Sequence, residues 1–376
     1  MAEILFVTWD GGGNAPPALA LAEELSKRAH RVRFLGHAVQ AEKIEARGFG
    51  FIRSPRAQPF SSMAKNSPFT MLAMFADSGM GADVVATARA ERFDLVVIDC
   101  LLVGVLAAVK KAGLRYVVLE HLYDGYYTRG FLSGPAGIWS WLRRQGSRAA
   151  LDGAVVRLVA TSASLDPIEK PSANVRQIGP VIPELAAGGP LSLRPGAQEP
   201  CVLVSLSTFA FPRMLESLQK VVDATADLGV RVIVTTGPAI DPKAVRPHAH
   251  AEVHRYVPHA ELMKVATLFI GHGGHGTAML ALAHDLPVLL MPMDGLSDQP
   301  WVARSIQEQG AGRAVKRGAA VAELRAHITE LMADGPHRQA AARLGAELRA
   351  AAATRAGAAV LDELVNDPVK HASSAE

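Results

Sequence analysis

Gly271-His272-Gly273-Gly274-His275-Gly276-Thr277 decides how this chain is read. The apolar run Ala266–Ile270 before it reads as a buried parallel strand, and Ala278–Ala283 after it reads as a helix. A strand, a glycine-rich turn and a helix aim backbone N–H groups and the positive end of a helix at an anion. The glycines let the main chain come close, Thr277 adds a hydroxyl, and His272 adds a ring N–H, with positive charge if protonated. A diphosphate fits that chemistry. The plain alternative is a tight turn with no ligand.

The rest of the second half repeats the pattern. Cys201–Ser205 is a strand that turns at Leu206–Phe209, and a helix follows near Leu215. Arg231–Thr236 is the next strand, closing at Gly237-Pro238, and Glu252–Pro258 precedes the glycine turn. Pro287–Pro292 leads to Asp298-Gln299-Pro300, and the tail from about residue 336 to 365 is strongly helical. Residues 183–200 hold four prolines and three glycines, which marks a linker.

The first half is a second α/β run. Glu3–Thr8 is a buried strand, and Asn14 is placed to cap a helix carrying Ala18, Leu21 and Leu25 on one face. Arg31–Leu35 is the second strand. The glycines at 11–13 do not fit G-x-G-x-x-G, and no acidic residue ends the second strand, so a dinucleotide is excluded. Residues 52–80 read as irregular, with Phe60, Met71 and Phe75 as an adaptable apolar wall or a packed surface helix. Phe93–Asp99 is a strand ending in a carboxylate, and Tyr116–Glu120 is the next. Four of the five tyrosines (116, 123, 126, 127) fall in twelve residues, and Trp139 and Trp141 follow. That clustering points to an aromatic ligand surface, with a self-packed lid as its alternative.

Composition removes other classes. At 376 residues two domains are expected. The chain is 49% hydrophobic and 20% charged, and a net charge of +3 with no basic run argues against a polyanion binder. Cys100 and Cys201 lie in apolar runs and read as reduced buried thiols. With no leader and no long apolar span, a cytoplasmic location is expected.

Val257-Pro258-His259, His272–Thr277 and Asp298-Gln299-Pro300, in that order and spacing, resemble the donor signature of GT-B glycosyltransferases, closest to the actinobacterial natural-product branch. The resemblance runs from Ile4 to about residue 312. It implies two doubly wound parallel-sheet (Rossmann-like) α/β domains facing each other across a cleft. An acceptor-binding domain would span 1–182, the linker 183–200 and a donor-binding domain 201–350, with a terminal helix at 351–376 packing back on the first.

The resemblance also assigns roles. Tyr256 would stack on the base and Val257 bond its edge through the main chain. His272, Gly273, Gly274, Gly276 and Thr277 would hold the diphosphate, helped by Ser207 and Thr208, with Thr236 in the same donor group. Asp298 and Gln299 would grip sugar hydroxyls. Acceptor contacts fall to Phe60, Met71, Phe75, Tyr123, Tyr126, Tyr127 and Trp139. The partners implied are a TDP- or UDP-sugar as co-substrate and a small aromatic or polyketide-like acceptor. Neither cofactor nor metal is implied; nucleic acid is not a partner, and the protein is a monomer or homodimer.

Two departures stand out. Leu280 occupies the place where relatives usually have a ribose-binding glutamate, which tilts the expectation towards TDP over UDP. Gly13-Asn14-Ala15-Pro16-Pro17 replaces Gly-His-x-x-Pro, whose histidine deprotonates the acceptor while an aspartate orients it. Asp99 fits that aspartate, but an asparagine cannot take the proton. Asn14 or another group, namely Asp10, Asp99, His121 or Asp124, then serves the acceptor, or the acceptor needs little help. An inverting transferase is the main expectation. Its rivals are a sugar-nucleotide epimerase and an inactive auxiliary homologue that keeps the nucleotide site.

Overall fold

A computed structural model describes residues 1–64, 66–182 and 200–366. These fall into two compact units: residues 1–163, 167–182 and 354–366 in one, and residues 164–166 and 200–353 in the other. The stretch expected to be a linker lies outside the described residues except at Pro200, and the tail expected to end at 376 is described to Asn366.

The first unit is built on β1 (Glu3–Val7), β2 (Arg31–Gly36), β3 (Gly50–Arg53), β4 (Leu95–Asp99), β5 (Tyr116–Glu120), β6 (Val156–Val159) and β7 (Val175–Gln177). Their order is β3-β2-β1-β4-β5-β6-β7, and every pairing is parallel. The strands carry near-continuous Val, Ile, Leu and Phe because helices cover both faces of such a sheet. The order reverses between β1 and β4, where Val7 lies opposite Ile98, so Asp99 ends its strand beside the end of the first. At such a reversal, ligands bind beyond the carboxyl ends of the strands.

The second unit repeats the scheme with β8 (Cys201–Ser205), β9 (Arg231–Thr235), β10 (Ala251–His254), β11 (Leu268–Gly271), β12 (Val288–Leu290) and β13 (Gly312–Ala314). The order is β10-β9-β8-β11-β12-β13, again all parallel. Its reversal lies between β8 and β11.

Some local expectations change. The segment read as irregular contains helices Pro68–Phe75 and Ser78–Glu91, started by the side chains of Ser67 and Asp77, which accept N–H bonds from the first turns. The helix after the glycine turn begins at His275, three residues earlier than its apolar run suggests. The tail is two helices, Pro336–Ala353 and Ala356–Asn366, broken where Arg355 has φ 49°. The second of these belongs to the first unit, and Ala358, Leu361, Leu364 and Val365 enter its core with Leu21, Leu25 and Ile178. Burying a leucine contributes about 1.5–3 kcal/mol. Asp362 fixes the angle, accepting from Arg28 at 3.0 Å and from His30 Nε2 at 2.8 Å. The proton sits on Nε2 because Nδ1 accepts from the Ala2 N–H.

Candidate active site

In the second unit the register gathers the donor residues. Gly271 lies opposite Ser205, Ser205 opposite Thr235, Thr235 opposite His254, and Gly271 opposite Leu290. Five strands therefore end in one row. Ser207, Thr208, Thr236, Tyr256, Val257, the turn at 272–277 and the loop to Asp298 all leave the sheet at that edge.

The turn closes around its glycines. Gly274 is extended and precedes the helix His275–Ala283, whose first-turn N–H groups have no preceding helical turn to bond. Gly273 has φ 84°, and a β-carbon there would sit 3.0 Å from the Gln299 carbonyl oxygen. A β-carbon on Gly274 would sit 2.5 Å from His272 Nε2, so that ring lies over the turn. Burial, and then His259, lower the His272 pKa to about 4, which leaves the free imidazole neutral. His259 itself bonds Thr235 Oγ1 at 3.1 Å through Nε2. Sequence reasoning used His259 only as part of a motif, yet its ring belongs to this edge.

The two residues expected to hold sugar hydroxyls differ. The Gln299 side-chain oxygen accepts from Met293 N at 2.8 Å and Asp294 N at 3.2 Å, so it ties down its own loop. Asp298 makes no side-chain cap to its helix. Burial, with Asp294 and Asp166 adding repulsion, raises its carboxyl to about 7. Tyr256 is 78% exposed, as a stacking platform has to be, and Leu280 is buried in its helix.

The first unit corrects more. Asn14 does not cap the helix Ala15–Lys27: its backbone is already helical and its side chain turns back to the strand end. Nδ2 donates to Thr8 Oγ1 at 2.9 Å and to the Trp9 carbonyl at 3.0 Å. A carbonyl only accepts, so the amide orientation is fixed, and Oδ1 is left buried without a partner among the described residues. Asp10 Oδ2 accepts from Ser62 N and Oγ at 2.8 and 3.1 Å. Asp77 and Asp83 hold the same segment through Gln58, Ser54 and Arg56. Burial raises the Asp83 carboxyl, but those bonds outweigh it and keep it below its usual value.

Asp124, a candidate base, is held in an ion pair. Arg157 binds it at 2.6 Å through one nitrogen and the wholly buried Glu120 at 2.6 Å through another. Burial pushes Glu120 up to about 8, and Arg157 stays charged between the two carboxyls. Sequence reasoning missed Arg157, whose only signal was an arginine inside an apolar strand.

Asp99 and His121 come together. His121 Nδ1 lies 3.3 Å from Asp99 Oδ2, while Asp99 Oδ1 accepts from Leu101 N at 2.9 Å. Asp99 ends β4 and His121 follows β5, its neighbour, so the pair stands on the strand beside the reversal. Cys100 Sγ is 3.9 Å from His121 Nδ1, and the three ligand atoms lie within 4.8 Å of one another. Burial, then Asp99, push the Cys100 thiol well up, so it offers S–H rather than the thiolate a metal takes.

The expected aromatic surface is largely core. Phe60, Tyr123, Tyr126 and Tyr127 are buried, and the Tyr127 hydroxyl donates to the Cys100 carbonyl at 2.6 Å. Trp9 packs edge-on against Phe60 and Phe75, and Phe75 against Phe131. These rings are a wall seen from behind; Met71, Phe75 and Trp139 stay half-buried at its surface.

Comparison with known proteins agrees with both units. A model described as "Erythromycin biosynthesis protein CIII-like, C-terminal domain" matches residues 219–365, and one described as "Glycosyl transferase 4-like domain" matches 12–178. The uncharacterized UDP-glucosyltransferase YojK of Bacillus subtilis (strain 168) is 24% identical over 409 residues, spanning 100% of both chains. The glycotransferase of kitacinnamycin superposes with a TM-score of 0.79 at 22% identity, over 97% of this chain and 99% of that one. The spinosyn rhamnosyltransferase SpnG, solved with thymidine diphosphate, gives 0.72 at 18% identity, over 95% and 99%. No described helix is long and apolar enough to cross a membrane. The chain is a glycosyltransferase of GT-B fold whose two halves match a glycosyl transferase 4-like model and an erythromycin biosynthesis protein CIII-like model.

Proposed function

We propose that this enzyme moves a sugar from a nucleoside diphosphate sugar to an apolar natural-product acceptor, with inversion at the anomeric carbon. The single observation behind the donor half is the row of strand ends that brings every expected donor segment to one edge. Tyr256 stacks on the base, and the Val257 main chain bonds its edge. The diphosphate lies on the N–H groups at 274–277, under His272, with Ser207, Thr208 and Thr236 beside it. Asp298 takes sugar hydroxyls, and Gln299 positions that loop. A helix end and an imidazole meet the leaving charge, so no metal is required. Leu280 leaves a ribose hydroxyl without a carboxylate, which favours a TDP-sugar. The complex of the spinosyn enzyme with thymidine diphosphate is a parallel for that nucleotide.

His121 is the base. With Nδ1–H donating to Asp99 Oδ2, Nε2 accepts the proton of the acceptor hydroxyl as its oxygen bonds to the anomeric carbon. The bond from that carbon to the diphosphate oxygen breaks, and its electron pair leaves with the nucleotide. Asn14 Oδ1, buried and unpartnered, accepts from another donor group of the acceptor and so orients the reacting hydroxyl. The contact between Asp99 and His121 weakens the case for an inactive homologue, which rested on Asn14.

Calorimetry with TDP and UDP, followed by turnover of TDP- and UDP-glucose on a panel of phenols and macrolide aglycones, tests the reading. Binding of TDP ahead of UDP, and a product of inverted anomeric configuration by NMR, are expected. Failure of both nucleotides at millimolar concentration removes the transferase reading. Epimerised donor formed without acceptor replaces it.

A further inference from the structure

Among the described residues, five of the eleven large hydrophobic side chains that stand exposed lie on two adjoining stretches of the first unit. They are Met63 (59%), Phe69 (72%), Ile138 (57%), Trp141 (73%) and Leu142 (62%). Helix Pro68–Phe75 packs on helix Pro135–Leu142, Phe75 meets Phe131, and Gln145 Nε2 donates to the Ala76 carbonyl at 2.9 Å, so the stretches form one region. On the second helix Ile138, Trp141 and Leu142 are spaced i, i+3, i+4 and share a face. The wall of Trp9, Phe60 and the half-buried Phe75 lies behind, so these side chains are additional to the core.

Charge is segregated to the same region. Residues 125–151 hold Arg129, Arg143, Arg144 and Arg148 and no acidic residue, while in the other stretch Arg56 is paired with Asp83. Those four positive charges exceed the net charge of +3 carried by the whole chain. Arg143 and Arg144 directly follow Trp141-Leu142 and are exposed, and the Arg143 guanidinium lies 5.3 Å from the centroid of the half-buried Trp139 ring. Apolar side chains with tryptophan on one face, ended by arginines, suit the boundary between acyl chains and anionic headgroups. A second copy of this chain is a poor occupant, because it would bring an equally basic face against this one.

We propose that this face docks on an anionic lipid surface, with Ile138, Trp141 and Leu142 entering the boundary and Arg143 and Arg144 at headgroup level. The docking does not depend on the reaction assigned above. Were that reaction correct, docking would bring the enzyme to where apolar acceptors dissolve.

The test is co-sedimentation of the full chain with vesicles of phosphatidylcholine alone and with about a third phosphatidylglycerol. Binding to the anionic vesicles is expected, weakening as salt screens the headgroups. Arg143→Glu with Arg144→Glu should lower the bound fraction at least tenfold, and Trp141→Ser with Leu142→Ser should do likewise. Both variants should keep the parent's melting temperature and nucleotide affinity, which separates loss of docking from loss of fold. No binding to anionic vesicles at low salt overturns the proposal. So does binding that both variants retain, or a concentration-dependent dimer that the Trp141 and Leu142 variant abolishes.

Discussion

In the proposed transfer, the ends of the two parallel sheets do comparable work by different means. In the second unit the chemistry is carried by main chain: a glycine turn, a helix start and a row of strand ends. In the first unit it is carried by side chains from separate strands, Asn14 after β1, Asp99 at the end of β4 and His121 after β5. A backbone anion site is written in consecutive residues, because the turn itself is the site. A side-chain dyad is written only in the sheet order, because its members are neighbours through pairing and not through sequence. The first edge is therefore free to exchange its proton acceptor, while the second must keep its glycines.

The largest expected effect tests the side-chain edge. His121→Ala should lower kcat by about two to four orders of magnitude, the usual worth of a general base. Nucleotide affinity, measured by calorimetry, should stay at the parent value, because His121 and the glycine turn belong to different units. Near-parental kcat would return the proton to another group.

Next comes His272→Ala at the backbone edge. Removing one donor from developing negative charge costs about 10²–10³ in rate. Nucleotide-sugar affinity should fall with it, which His121→Ala does not do. The imidazole has a pKa of about 4 in the free enzyme, and a bound diphosphate raises it. Binding near pH 5 should therefore take up protons, and calorimetry in buffers of different ionisation enthalpy will register that uptake. Equal heats after correction would mean that the ring stays neutral throughout.

The same contrast explains what the sequence disclosed. Both sheets were legible, since runs such as Phe93–Asp99 and Arg231–Thr236 are apolar on both faces and leave few other folds. The turn at 271–277 was legible because its glycines are adjacent. Asp99 and His121 were both legible as candidates, but 22 positions apart nothing in the sequence said that they touch. Asn14 misled for a physical reason. An asparagine before a helix is a good cap, and only the Trp9 carbonyl in three dimensions shows where its amide points instead. The tyrosines at 123–127 misled similarly, since a cluster of rings can face a ligand or a core and composition is the same for both.

Gly273→Ala sharpens the backbone side of the comparison. At φ 84° an alanine is strained by about 1–2 kcal/mol, and its β-carbon would press on the Gln299 carbonyl at 3.0 Å. The melting temperature and donor affinity should both fall. Gly276→Ala is the control: its β-carbon meets nothing within 4 Å, the N–H remains, and stability should hold or rise by up to about 1 kcal/mol.

Asp298 gives a smaller, pH-dependent effect. With its carboxyl raised to about 7, it is protonated below that value and ionised above. The donor kcat/KM should rise as pH increases through about 7, when the carboxylate can accept both sugar hydroxyls. Stability runs the other way, since the folded chain holds the proton longer than the unfolded one and loses that advantage as pH climbs from about 4 to about 7. Asp298→Asn should flatten both slopes. A pH profile left unchanged by that substitution would separate Asp298 from the sugar.

Asn14→Ala should change activity least. It removes two buried hydrogen bonds, each worth about 0.5–1.5 kcal/mol, and so lowers the melting temperature by loosening Thr8 and Trp9 at the end of β1. If His121 takes the proton and Asn14 only orients the hydroxyl, kcat should fall by about tenfold or less, and the pH profile should keep its shape. Asn14→His puts a larger ring against Gly11, where Asn14 Oδ1 already sits so close that a β-carbon on Gly11 would lie 2.7 Å from it. It should destabilise the first unit, and any gain on simple phenols has to be read against that loss. A folded, nucleotide-binding Asn14→Ala enzyme with no turnover would mean that the amide acts directly on the nucleophile. The first edge would then rest on the residue after β1 as firmly as the second rests on the turn after β11, and the contrast between the two edges would narrow to the identity of one side chain.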